Sequence, residues 1–154
     1  MLAGMVCLAA ATAPALAAEK CESKDNRAIG AWKLNLQESI APQGSPFRPY
    51  TLVVRRSDEV LDFVYKGIGH DGKPFDFAYN AQADGVVREL GSGLKGSMTR
   101  LPSGNYEARL WMPDGSFENK FCQLDASGNK DICLATLTAA NGSVVFFKQV
   151  LDRQ

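Results

Sequence analysis

The sequence predicts an all-β fold, an antiparallel up-and-down β-barrel of about eight to ten strands, and three observations predict it. Short β-branched and aromatic runs alternate with turn signals: SD at 57, HDGKP at 70, ADG at 83, GSG at 91, PSGN at 102, PDG at 113, ASGN at 126 and NG at 141. The signals recur about every 8 to 14 residues, the rhythm of a meander. No segment holds a helical period of useful length, because glycine interrupts the candidates. A meander this long has two edges to hide, and joining them removes unpaired backbone donors.

Strands are expected at 29–36, 50–56, 59–68, 74–81, 85–90, 94–101, 105–112, 116–124, 130–139 and 143–152. Their registers follow from the apolar pattern, since a one-residue slip sends every side chain to the other face. Around the SD turn, a two-residue loop sets Val54 opposite Leu61, Leu52 opposite Phe63 and Tyr50 opposite Tyr65. A two-residue Asp-Gly loop at 71 would turn Phe75 and Phe77 away from that face. A three-residue loop, His70 to Gly72 with Gly72 left-handed, instead pairs Tyr65 with Phe77 and Phe63 with Tyr79. The inner face then carries Leu61, Phe63, Tyr65, Phe75, Phe77 and Tyr79, with Asp62, Lys66, Asp76 and Asn80 toward water.

Two further hairpins decide what else faces inward. At PDG, a bulged loop with Pro113 in the first central position aims Arg109, Trp111 and Phe117 inward together. A two-residue loop aims Ala108, Leu110, Met112 and Phe121 inward and leaves Arg109 in water; it is preferred because an unpaired inward arginine is costly. Asn141-Gly142 predicts a two-residue type I′ turn that pairs Ile132 with Leu151, Thr136 with Phe147 and Thr138 with Val145.

The first 18 residues carry no charge and end in small residues after Pro14, which reads as a secretory signal peptide. Ala15 and Ala17 fit cleavage before Ala18, and cleavage before Glu19 is nearly equivalent. The apolar run is at the short end of what spans a bilayer, so no membrane span is expected after cleavage. The mature part, 19–154, is expected to be one domain located in the periplasm or secreted. All 17 basic and 17 acidic residues fall in it, leaving a formal charge of zero. With no basic surplus to hold a phosphate backbone, nucleic acid is an unsuitable partner.

Cys7 leaves with the signal; Cys21, Cys122 and Cys133 remain. The symmetric register about Ser127-Gly128 places Phe121 opposite Leu134 and Cys122 opposite Cys133, close enough to bridge. A structural disulfide between Cys122 and Cys133 is therefore expected, with Cys21 left over or competing. Lys120 and Glu118 share the cysteine face, which points that face outward. Zinc would need two more ligands, which His70, the one histidine, and Cys21 do not readily supply. A redox dithiol would need its cysteines two apart at a helix start.

Near the expected mature N-terminus, Gly30, Trp32 and their neighbours in GAWKLN resemble the G-x-W opening of lipocalin and calycin barrels. The rest, from HDGKPFDFAYNAQADG to the closing VLDRQ, is similar to small secreted bacterial lipocalin-like domains. No second or third lipocalin motif is readable, so the resemblance is to the lipocalin-like barrel in the wide sense. It implies a closed barrel in which Trp32 packs against a cation of the last strand, Arg153 or Lys148. These residues would close the barrel and not hold ligand.

The inward cluster of Tyr50, Phe63, Tyr65, Phe77 and Tyr79 is the candidate ligand-binding site, since apolar walls with a few hydroxyls are the usual make-up of small-molecule pockets. A filled core is the alternative. The Pro-bearing segment 37–50 is placed to arch over the mouth. His70 beside Asp71 reads as a turn residue. Acidic residues stand singly and glycines mark turns, so no catalytic, cofactor or metal motif emerges. The expected role is a carrier of a small apolar or amphipathic ligand and not an enzyme. The alternative is a barrel acting through outward apolar residues such as Val53, Val64, Ile68 and Phe146, as an inhibitor or envelope assembly partner; no protein partner can be named.

Overall fold

The structure, a computed structural model, describes residues 28–57, 60–69, 71–101, 103 and 105–154. The expectations for residues 1–18, Cys21 and His70 lie outside the described residues. Ten strands are present: β1 (Gly30–Leu34), β2 (Tyr50–Ser57), β3 (Val60–Ile68), β4 (Pro74–Gln82), β5 (Arg88–Gly91), β6 (Leu94–Arg100), β7 (Tyr106–Trp111), β8 (Phe117–Leu124), β9 (Lys130–Thr138) and β10 (Val144–Arg153). All pairings are antiparallel, in the order β4-β3-β2-β1-β10-β9-β8-β7-β6-β5. β1 joins β2 to β10, setting Trp32 beside both Leu52 and Arg153. At the remaining seam, the residues just past β4 reach β6. Gly85 N–H donates to the Met98 carbonyl at 2.8 Å, and Asp84 bridges to Thr99. The result is a nearly closed up-and-down barrel, and among the described residues no helix is long and apolar enough to cross a membrane.

One end of the barrel is plugged. Trp32 is 1% exposed, and Arg153 lies over its ring at 4.3 Å from guanidinium carbon to centroid. The guanidinium is held by the Gly128 and Ile29 carbonyls at 2.8 and 3.0 Å, while Trp32 Nε1 donates to Ala28 O at 2.9 Å. Gly30 has φ 147°, and a Cβ there would stand 2.8 Å from Arg153 Nη1, so the clamp needs glycine at that position. Lys148, the alternative cation, instead pairs through its backbone with Ile40.

The Tyr65–Phe77 and Phe63–Tyr79 pairs form; at their turn Gly69 N–H donates to Lys73 O at 2.8 Å and Gly72 has φ 78°. Three other hairpins depart from expectation. At the SD turn Ser57 pairs with Val60, so Val54 faces Phe63 and Leu52 faces Tyr65; this shift of two leaves the parity of the strands unchanged. At Asn141-Gly142 the loop has three residues. Ala139 N–H donates to Ser143 O, Gly142 alone is left-handed at 82°, and Asn141 Oδ1 accepts from Ser143 N–H, an arrangement that stabilises the bulged turn over type I′. The register moves by one: Thr136 pairs with Phe146, Leu137 with Val145 and Ile132 with Val150. Phe147 is buried, and Phe146, expected outward, is 74% exposed.

At PDG the bulged turn forms, with Gly115 at 82° and Trp111 opposite Phe117. Asp114 Oδ1 fixes it by accepting from Ser116 N–H and Oγ at 2.9 and 2.6 Å. The preferred two-residue loop is thus replaced, yet Arg109 is still outside, paired with Glu107 at 3.0 Å. Ala108 and Leu110 do face inward, but Phe121 does not; Glu118 and Lys120 stand opposite them across the β7–β8 pair.

Candidate functional site: a barrel cavity with two unlike walls

The barrel encloses a cavity of about 260 Å³. Strands β2, β3 and β4 supply one wall, on which Tyr50, Phe63, Tyr65, Phe77 and Tyr79 all line the space. Alternation along each strand aims these side chains inward, and the β3–β4 register stacks them in pairs. Phe63 and Tyr79 are stacked at 5.0 Å between centroids, Tyr65 and Tyr79 at 6.2 Å, and Tyr50 and Tyr65 are tilted at 5.8 Å. Burial pushes the Tyr50 phenol up to about 12 and raises those of Tyr65 and Tyr79 well above their ordinary value. All three stay neutral at physiological pH and keep their hydroxyl donors.

The facing wall, from β7, β8, β9 and β10, is polar. Lys120 Nζ lies 2.8 Å from Glu118 Oε1. Burial pulls the Lys120 ammonium down, but the Glu118 carboxylate outweighs it and holds the group charged, above its ordinary range. Asp131 is 3% exposed; its Oδ2 accepts from Tyr106 OH at 2.8 Å, and its Oδ1 has no hydrogen-bond partner. Burial raises Asp131 to about 6, against the lowering effects of Tyr106 and Lys120.

Cys122 and Cys133 are bridged in the paired register, and both line this wall. Their direction corrects the outward expectation: they are 1% and 3% exposed, inside the barrel. Glu118 and Lys120 share their face, as the register requires, but their mutual neutralisation lets a charged pair face inward. The two sulfurs and an Asp131 oxygen lie within 4.8 Å of one another. With the sulfurs bonded together, that trio offers a metal one carboxylate and no thiolate.

Segment 37–50 meets the barrel at the end opposite the Trp32 clamp. Phe47 packs edge-on against Phe147 at 5.8 Å, and the Pro49 carbonyl accepts from Ile68 N–H at 3.2 Å. Gly67 makes this approach possible, since a Cβ there would come within 2.6 Å of Pro49 O. Sequence reasoning missed Tyr106, Glu118, Lys120 and Asp131 as cavity residues. The signal that bore on them was the cysteine register itself, which fixes the parity of β8 and β9.

No protein-family model and no curated protein matches the chain. Solved structures do. The S-type phycobiliprotein lyase CPES from Guillardia theta aligns with a TM-score of 0.56 at 9% identity, over 84% of this chain and 89% of that one. A redesigned β-barrel, mFAP0, bound to DFHBI, aligns with a TM-score of 0.50 at 15% identity, over 82% of this chain and 99% of that one. At such identities the likeness is one of fold, and with the topology above it establishes an up-and-down, lipocalin-like β-barrel.

Proposed function

We propose that the protein is an exported binding barrel for a small apolar or amphipathic molecule, held in the cavity and not chemically transformed there. The observation that carries this reading is the unfilled interior of about 260 Å³, lined on one side by six aromatic side chains and on the other by a few polar groups. A wholly structural core would be filled, as interiors are packed to crystal-like density. In mFAP0, a barrel of similar fold, the small molecule DFHBI is bound. The periplasmic or secreted location rests on the signal-like first 18 residues. Native mass spectrometry of protein purified from its own host tests the reading. A copurifying small molecule is the expected result; a clean apo mass, together with no binding of added apolar probes, would overturn it.

A second reading, action through the outer surface, draws on the exterior of β8, β9 and β10. There Phe121, Leu134 and Phe146 join Ile40 around a groove of about 500 Å³. Exposed apolar area of this kind marks contact surfaces. Pull-down from the host with wild type and with Leu134→Ser/Phe146→Ser separates the readings, because the double variant leaves the cavity intact.

A further inference from the structure

Resting on the cavity reading, we propose that the ligand carries a protonated amine, or a comparably strong N–H donor, on an aromatic or aliphatic body. The donor would face Asp131 and the body would lie against the tyrosine wall. Asp131 supplies the first argument. A carboxylate that belongs to the cavity lining, is 3% exposed and has Oδ1 unpartnered is a buried acceptor waiting for a donor. The second is the charge balance. Glu118 and Lys120 offset one another at 2.8 Å, and Tyr106 gives Asp131 a neutral hydrogen bond, so the lined space retains one unmatched negative charge at neutral pH. The third lies on the opposite wall, which is lined by six aromatic rings, and π systems favour cations and apolar groups alike.

An anionic ligand meets the reverse conditions. Its carboxylate would face Asp131 and Glu118, and the single cation, Lys120, is already engaged by Glu118. Burial raises Asp131 only to about 6, so it remains ionised at neutral pH, and an ammonium beside it would favour that state further.

Calorimetric titration at neutral pH with three probes sharing one ring system tests the inference: 1-naphthylmethylamine, 1-naphthylacetate and 1-naphthylmethanol. The amine is expected to bind roughly tenfold tighter than the acetate, the worth of one charge-assisted hydrogen bond. Asp131→Asn should bring the two within about threefold of each other while leaving the alcohol's affinity unchanged. Equal or tighter binding of the acetate by the wild type overturns the inference and leaves the cavity reading standing. Failure of all three probes to bind overturns both. The wild-type ratio decides the matter even if the variant fails to fold.

Discussion

The two halves of this barrel obey opposite rules. In β2, β3 and β4 the aromatic residues point inward and charge faces water, as in the exposed Lys66–Asp76 pair at 3.1 Å. In β8, β9 and β10 the alternation is inverted: Glu118, Lys120, Asp131 and Gln149 line the interior, while Phe121, Leu134 and Phe146 stand outside. The first half gains from hydrophobic burial. The second meets the cost of burying charge by pairing it, and the bridge between Cys122 and Cys133 ties its two central strands together. Such a division suits a container that needs a greasy side for a ligand's body and a polar side to orient it.

Truncation should cost very different amounts on the two halves. Phe63→Ala removes a ring stacked on Tyr79 and 2% exposed, and should lose about 3 to 5 kcal/mol in urea denaturation. Phe146→Ala, 74% exposed, should change stability by less than about 0.5 kcal/mol. A large loss at Phe146 would mean the outer face is covered in the folded protein.

Asp131 gives the next largest effect, and its sign is opposite to that of a surface carboxylate. Its folded value of about 6 lies above the ordinary 3.8, so the folded state holds an extra proton between those values. Its contribution to stability is therefore fully present below about pH 4 and is lost as pH rises through 6, on the order of 2 to 3 kcal/mol in all. Urea melts of wild type and Asp131→Asn at pH 4 and pH 7 should show the variant gaining on the wild type at the higher pH. Parallel shifts would place Asp131 in water.

A smaller effect than that at Asp131 tests the charged pair. Lys120→Met alone leaves Glu118 uncompensated and should cost about 2 kcal/mol, discounted because both side chains keep some contact with cavity solvent. Glu118→Leu/Lys120→Met should recover most of that loss. A double variant as unstable as the single would show that the pair does more than cancel charge.

Much of the first half was legible in the sequence, because a strand with one greasy parity has one acceptable register. The Tyr65–Phe77 pairing and the choice of a bulged turn at Gly72 follow from that alone. The second half resisted for a physical reason. In FENKFCQL the two phenylalanines occupy one parity and Glu118, Lys120 and Cys122 the other, so a hydrophobicity argument turns the strand inside out. What reverses it is a charge pair and a disulfide, both of which depend on neighbours beyond the strand. The Asn141-Gly142 turn misled at a smaller scale: Asn141 Oδ1 caps Ser143 and holds a three-residue loop, which moves the β9–β10 register by one residue.

Pairing β1 with β10 also constrains the order of events during folding. The contact between Trp32 and Arg153 closes a loop spanning nearly all the described chain, the entropically slowest kind of contact to make. As a nascent chain emerges, β2 to β4 and β5 to β9 can each zip as successive local hairpins, but β1 has no partner on its second edge until the last strand arrives. Until then β1 and β9 both present open backbone edges, the state most exposed to association with other chains.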